Sequence, residues 1–195
     1  MSVGPRERLV DAVGSHFGGS ESFEHSLRVA RMAEEMAVVY GSDTDAAWLG
    51  GLLHDWARDL PSNELLASAR RAGLEVTPVD EAVPYLLHAP VGAGMVADQF
   101  DGVPESVLQA IASHTFGSTD MGECAKIVYV ADMIEPARDF PGVEDLRSAV
   151  GALSLDDLFA AGYRRSVVHL VESGKLMHPE TCRVWNTYVA GRELP

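Results

Sequence analysis

The chain has 195 residues, of which 47% are hydrophobic, and a formal net charge of −14. This length and composition fit one folded domain, which we expect to span residues 1–195, and they exclude a disordered acidic tail. Nucleic acid and anionic membranes are disfavoured as partners because they carry the same sign of charge. No apolar run approaches the roughly 20 residues that a membrane-spanning helix needs.

Turn-forming and capping residues divide the chain into helices, and the sequence predicts an all-α domain. Apolar residues recur at helical spacing over 22–40, and Gly41 is a suitable helix stop. Ser42 to Asp45 fits a capping box ahead of a second helix that runs through Ala57. Short β-branched runs never alternate cleanly, so no strand is predicted. Further helices are expected over about 62–72, 80–87, 90–100, 104–114, 122–134 and 154–174, and from 179 onward.

Several of these helices carry a histidine or an aspartate next to an apolar stretch. The segment GLLHDWARD places His54 and Asp55 side by side, and Asp132 lies deep in KIVYVADMIEP. Taken singly, His54 reads as a surface histidine and Asp55 as a helix-terminal residue. A buried Asp132, however, needs an opposite charge or a metal. The residues that share this pattern are His25, His54, Asp55, His88, His114 and Asp132.

Four imidazoles and two carboxylates from separate helices are the kind of set from which helical bundles build dinuclear metal sites. Asp55 has two carboxylate oxygens and can bridge two ions. Mixed nitrogen and oxygen ligation favours iron or manganese, with zinc, cobalt or nickel as alternatives. His16 and His169 are expected to be structural or to face solvent. Cys124 and Cys182 form no CxxC pair and read as two reduced thiols of a cytoplasmic protein.

The order H…HD…H…H…D resembles the HD-domain metal-dependent phosphohydrolases. The segments LLHAPVGA, ADMIEPARDFPGVEDLR and MHPETCRVWN are similar, in that order, to the YqeK family of HD-domain hydrolases, and the likeness runs from about Phe23 to Asn186. The resemblance implies an HD-domain-like helical bundle with a dinuclear metal site, usually iron, in its core. It also implies symmetrical hydrolysis of diadenosine tetraphosphate to two ADP by a hydroxide that bridges the metals.

The resemblance implies a role for each of the six candidate metal ligands and for several residues around them. One ion would be held by His25, His54, Asp55 and Asp132, and the other by Asp55, His88 and His114. Asp55, His88, His114 and Arg138 would be catalytic. The expected nucleotide contacts are Ser22, Tyr85, His88, His114, Thr115, Asp132, Arg138, Gly174, Met177 and His178. The chain departs from the family pattern at Arg58, where lysine is usual, and at Ala89 and Phe116.

Two other functions are compatible with the same pattern. One is a different HD-domain nucleotide phosphohydrolase, for instance one that acts on mononucleotides. The other is a catalytically idle module that senses nucleotides or binds a protein. The resemblance permits a homodimer.

Overall fold

A computed structural model describes residues 6–192, and within that range the chain forms eleven α-helices and one short 3-10 helix, with no β-strand. The predicted all-α fold is therefore confirmed. The α-helices are α1 Arg6–Phe17, α2 Glu21–Tyr40, α3 Thr44–Leu53, α4 Ser62–Arg71, α5 Pro78–Ala82, α6 His88–Gln99, α7 Glu105–Ser113, α8 Glu123–Ile134, α9 Val143–Ala149, α10 Leu155–Glu172 and α11 Pro179–Tyr188. The 3-10 helix covers Pro84–Leu87, between α5 and α6.

Helix α3 lies in the centre of the molecule, and all of its residues from Ala46 to Leu53 are buried. It can approach α2 closely because Gly51 has no side chain. A Cβ atom at Gly51 would lie only 2.8 Å from the Cα of Ala30 in α2. This close packing brings the end of α3 against the buried face of α2, where His25 lies.

The main hydrophobic core draws on α1 to α3 and on α6 to α11, and its largest fully buried side chains include Trp56, Phe159 and Tyr163. A smaller cluster, which includes Leu65, Leu87 and Val91, packs α4 and the 3-10 helix against α6. Burial of this kind stabilises by about 25 cal/mol per Å² of apolar surface. The two clusters fix the ends of α3, α6, α7 and α8 relative to one another.

Helix boundaries differ from the predicted ones in two places. Helix α3 ends at Leu53, not at Ala57, and its N-cap is Asp43, whose side chain accepts a hydrogen bond from the Ala46 N–H at 2.9 Å. The capping box predicted to begin at Ser42 is therefore wrong by one residue. The helix predicted over 80–87 is split at Val83, because Pro84 cannot continue it. Helices α1 and α9 were not predicted.

Among residues 6–192 the structure contains no helix that is both long and apolar enough to cross a membrane. Both cysteines are free thiols: Cys124 is buried, whereas Cys182 is exposed.

Candidate metal centre

The six predicted ligands come together at one place in the fold. Most of them lie at or near helix ends, where the backbone turns and a side chain can leave the packed stripe of its helix. His54 and Asp55 directly follow α3, and His114 directly follows α7. His88 is the first residue of α6, Asp132 lies in the last turn of α8, and His25 lies in α2. All except Asp132 are buried.

Asp55 occupies the middle of the group, with each carboxylate oxygen facing a different pair of imidazoles. Its Oδ2 lies 3.2 Å from Nε2 of His54 and 3.6 Å from Nε2 of His25. Its Oδ1 lies 3.3 Å from Nε2 of His88 and 3.5 Å from Nε2 of His114. These atoms form two groups of potential metal ligands, His25–His54–Asp55 and Asp55–His88–His114. Asp55 is the member that the two groups share.

Asp132 extends the first group from the side of α8. Its Oδ1 lies 3.0 Å from Nε2 of His25 and 3.8 Å from Nε2 of His54. Asp132 thus lies on the same side of Asp55 as His25 and His54, whereas His88 and His114 lie on the other side, and the assignment of the six residues to two ions stays a prediction.

Three of the imidazoles are held in the same way. In each, Nδ1 lies within hydrogen-bond distance of the backbone carbonyl three residues earlier: His54 with Gly51 at 2.8 Å, His88 with Tyr85 at 2.6 Å and His114 with Ile111 at 2.8 Å. A carbonyl only accepts, so Nδ1 carries the hydrogen and Nε2 keeps its lone pair. The local backbone thus orients three lone pairs toward the centre, as in metal-bound histidines.

His25 is oriented by a side chain that sequence reasoning missed. Its Nδ1 donates to Oε1 of Glu135 at 3.2 Å, while Oε2 of Glu135 accepts from Arg28 Nε and from the Ala137 N–H, both at 2.7 Å. Glu135 is only 2% exposed. It lies three residues after Asp132 in a largely apolar stretch, so the buried-carboxylate signal that identified Asp132 applies to it as well.

The polar atoms that face the centre are poorly satisfied by the protein alone. Nε2 of His25 and Nε2 of His54 are buried without a hydrogen-bond partner. Nε2 of His88 and Nε2 of His114 lie 2.9 Å apart, and with both Nδ1 atoms protonated two lone pairs face each other. Buried polar atoms are normally paired. Metal ions coordinated by these nitrogens and by the Asp55 carboxylate would satisfy all of them, so the residues fit a two-metal site.

The charges of the site also favour a cation. Burial opposes ionisation of Asp55, but the histidines around it outweigh this effect and hold its pKa well below the usual value. Burial similarly opposes a charge on His54, yet Asp55 and Asp132 raise the pKa of His54 to about 9. For His114, burial dominates and lowers the pKa. Asp55 and Asp132 thus favour a positive charge beside Nε2 of His54.

Two arginines pair with the two carboxylates of the centre. Arg58 Nη1 donates to Oδ2 of Asp55 at 2.5 Å, and Arg138 Nη2 donates to Oδ1 of Asp132 at 2.5 Å. Both arginine side chains are about one-third exposed, at 33% for Arg58 and 37% for Arg138. They can therefore contact both these carboxylates and an anion that enters from solvent.

The segment that carries Arg138 is braced from behind. Arg147 donates to the backbone carbonyls of Ile134, Glu135 and Arg138 at 2.7–2.9 Å, and it also pairs with Glu144. The carbonyl contacts hold the turn after α8 in place.

A cavity of about 350 Å³ opens above the centre, and we call it the central cavity. The predicted nucleotide contacts Tyr85, Thr115 and Arg138 line it, together with the predicted ligands Asp55, His88, His114 and Asp132. Thr115 Oγ1 is buried without a partner. The other residues of its lining include Arg58, Tyr129, Met133, Phe140 and Ser166.

The remaining predicted nucleotide contacts lie outside the central cavity. Ser22 Oγ donates to Asp59 at 3.4 Å, Met177 Sδ lies 3.5 Å from Cys182 Sγ, and Gly174 follows α10. Their nucleotide contacts stay predictions.

His178 has structural partners of its own. Its Nε2 lies 3.3 Å from Asp80, its Nδ1 accepts from the Glu180 N–H, and its ring stacks on Phe116 at 4.3 Å. Phe116, a departure from the family pattern, therefore has a packing role.

Comparison with known proteins places this geometry in a family. A model of the HD domain matches residues 22–137. The chain is 32% identical over 167 residues to the symmetrical bis(5'-nucleosyl)-tetraphosphatase of Bacillus subtilis, covering 86% of this chain and 89% of the relative. It is also 32% identical to the enzyme of the same name from Staphylococcus aureus, covering 85% and 86%.

A solved structure from Clostridium acetobutylicum, described as a predicted HD superfamily hydrolase involved in NAD metabolism, has the same fold. It superimposes with a TM-score of 0.87 at 30% identity and covers 95% of this chain and 97% of its own. Because the family model spans more than half of the chain and the relatives match along almost their whole length, the chain belongs to the YqeK family of HD-domain hydrolases.

Proposed function

We propose that this chain hydrolyses diadenosine tetraphosphate and related dinucleoside tetraphosphates symmetrically, giving two nucleoside diphosphates. The observation that carries the proposal is the Asp55 carboxylate, whose two oxygens each face a pair of imidazoles at the base of a cavity that also presents Arg58 and Arg138. Two relatives with the name of that activity, at 32% identity over most of both chains, support it.

The metal-binding roles follow from the two ligand groups. His25, His54, Asp55 and Asp132 would hold one ion, and Asp55, His88 and His114 the other, so that Asp55 bridges. Four imidazoles and two carboxylates suit iron or manganese, with cobalt, nickel and zinc as further candidates, and we propose iron. When bound, such a pair of cations activates water and neutralises phosphate charge.

The chain's own residues bind and orient the tetraphosphate. Arg58 and Arg138 line the central cavity and carry the positive charge that four phosphates require in a protein of net charge −14. Thr115 lines the same cavity, and its hydroxyl has no hydrogen-bond partner within the protein. Tyr85 is 43% exposed beside His88 and offers an aromatic face to a base.

The reaction breaks the bond between one inner phosphorus and the central bridging oxygen. Water supplies the new oxygen on that phosphorus, and the bridging oxygen leaves with the other half, so each product is ADP. Incubation of the metal-loaded protein with diadenosine tetraphosphate in ¹⁸O-labelled water should give two ADP per substrate, with one label per pair. Release of AMP and ATP would refute symmetrical cleavage, and no turnover with iron, manganese or cobalt would refute the activity.

A second candidate is a different nucleotide phosphohydrolase activity, because the solved relative is described as involved in NAD metabolism. Mononucleotides and NAD in the same assay distinguish the two. The idle sensing module is disfavoured because all six predicted ligands lie together. Nε2 of His25 and of His54 has no hydrogen-bond partner, and Nε2 of His88 faces Nε2 of His114.

We further propose that residues 1–195 form one domain, whose ends lie outside the described residues, and that the protein acts in the cytoplasm.

A further inference from the structure

A second cavity of about 360 Å³ lies beside the central cavity, along α10. Three residues, Met133, Phe140 and Ser166, line both cavities. The two cavities are therefore adjacent, with these side chains between them. The lining of the second cavity also includes Arg165, Val168 and Glu172.

The wall of the second cavity combines apolar and polar groups in the way that nucleoside sites do. Its lining is mainly apolar, and Phe140 provides an aromatic ring. Polar side chains also line it, among them Ser166 and Glu172. Arg165 lies 5.9 Å from the centre of the Phe140 ring and also donates to the carbonyl of Pro141. A volume near 360 Å³ is within the usual range of about 300–1,000 Å³ for small-molecule sites.

A symmetrical substrate requires two such places. When an inner phosphorus of a tetraphosphate lies at the metal centre, the two nucleosides must leave the central cavity in different directions. In one direction, a nucleoside can lie against Tyr85, which lines the central cavity and is 43% exposed. In the other direction, Met133 and Phe140 lead to the second cavity.

We propose that the second cavity binds the second nucleoside of the dinucleoside tetraphosphate, with the base against Phe140 and Val168. This inference rests on the proposed function and extends it to the residues that recognise both halves of the substrate. It makes Phe140, Val168 and Glu172 specificity-determining residues that separate a dinucleoside polyphosphate from a mononucleotide.

The test fills the second cavity with a bulky side chain. Val168 is 37% exposed and lines this cavity, so Val168→Trp should block it without disturbing the core. Glu172→Trp, one turn later on α10, is a second blocking variant. The matched control is Val171→Trp, because Val171 lies on the same helix, is 66% exposed and lines neither the central nor the second cavity.

Equilibrium dialysis of metal-loaded protein with ADP should find two ADP per chain in the wild type and in Val171→Trp, and one in each blocking variant. The KM for diadenosine tetraphosphate should rise about tenfold in the blocking variants, which corresponds to about 1.4 kcal/mol of lost binding. For adenosine 5'-tetraphosphate, which has one nucleoside, the KM should change less than twofold.

One ADP per wild-type chain would overturn the inference, as would two ADP and an unchanged KM in both blocking variants. An equal rise of KM for both substrates would also overturn it. Failure of the proposed function is a separate result, because it shows as absent ADP release from diadenosine tetraphosphate by the wild type, whereas the ADP stoichiometry reports on the cavity alone.

Discussion

The close approach of α2 and α3 at Gly51 links the stability of the fold to the geometry of the metal centre, and Gly51→Ala tests that link. The added Cβ would lie 2.8 Å from Cα and 2.9 Å from N of Ala30, which are backbone atoms. Ordinary contact begins at 3.4 Å, so the helices must separate by 3.4 − 2.8 Å, about 0.6 Å. A side chain could rotate away, but two packed helices must move as bodies.

This separation should have two measurable effects. Overpacking of a core typically costs about 1–3 kcal/mol, and we expect Gly51→Ala at the upper end because backbone opposes backbone. His25 lies on α2, whereas His54 and Asp55 follow α3. A shift of about 0.6 Å between them exceeds the tolerance of about 0.2 Å on metal–ligand distances. The variant should therefore lose metal from the His25 side of the site before it unfolds.

Urea unfolding of the metal-free protein measures the first effect, and elemental analysis after dialysis measures the second. Gly94→Ala is the matched control, since Gly94 is exposed in α6 and a Cβ there has no atom within 4 Å. It should stabilise the protein by about 0.5–1 kcal/mol, because glycine is a poor helix residue, and leave the metal content unchanged. If Gly51→Ala unfolds within 0.5 kcal/mol of the wild type and keeps its metal, the reasoning about helix contact is wrong.

Three further predictions concern side chains around the centre and the two thiols. Glu135→Gln should weaken metal binding about 10- to 100-fold in chelator competition, because it removes the charged acceptor that orients His25; unchanged affinity would exclude this positioning role. Arg138→Ala should lower kcat/KM for diadenosine tetraphosphate about 10- to 100-fold, because a phosphate loses a charge-assisted hydrogen bond of about 1.5–3 kcal/mol. Elemental analysis should find the metal retained. Loss of metal would mean that Arg138 acts on the metal ligands. Iodoacetamide at pH 8 should alkylate Cys182 but not Cys124 in the native protein, because burial raises the pKa of the Cys124 thiol to about 12 and leaves it protonated. Mass spectrometry counts the alkylated thiols. A second alkylation before unfolding would contradict this prediction.

The helical content and the six candidate metal ligands follow from local features of the sequence. Apolar spacing along α2 and the glycine after it mark a helix and its end, because both depend on residues a few positions apart. Asp132 was identified in the same local way, as an acid in an apolar run. Glu135 shows the same signal, yet its task became clear only when α2 and α8 were seen side by side, with His25 between them.

The sequence by itself determined that this protein is helical, that it carries six ligand-type side chains next to apolar segments, and that it resembles the HD-domain hydrolases. Only the tertiary structure decided that the two oxygens of Asp55 face different imidazole pairs and that a second cavity adjoins the centre. The physical reason is range: periodicity and capping act within one or two turns of chain. Distances between side chains on α2, α3, α6, α7 and α8 are set by how those helices pack, and contacts such as that of Gly51 with Ala30 have no counterpart in the local sequence.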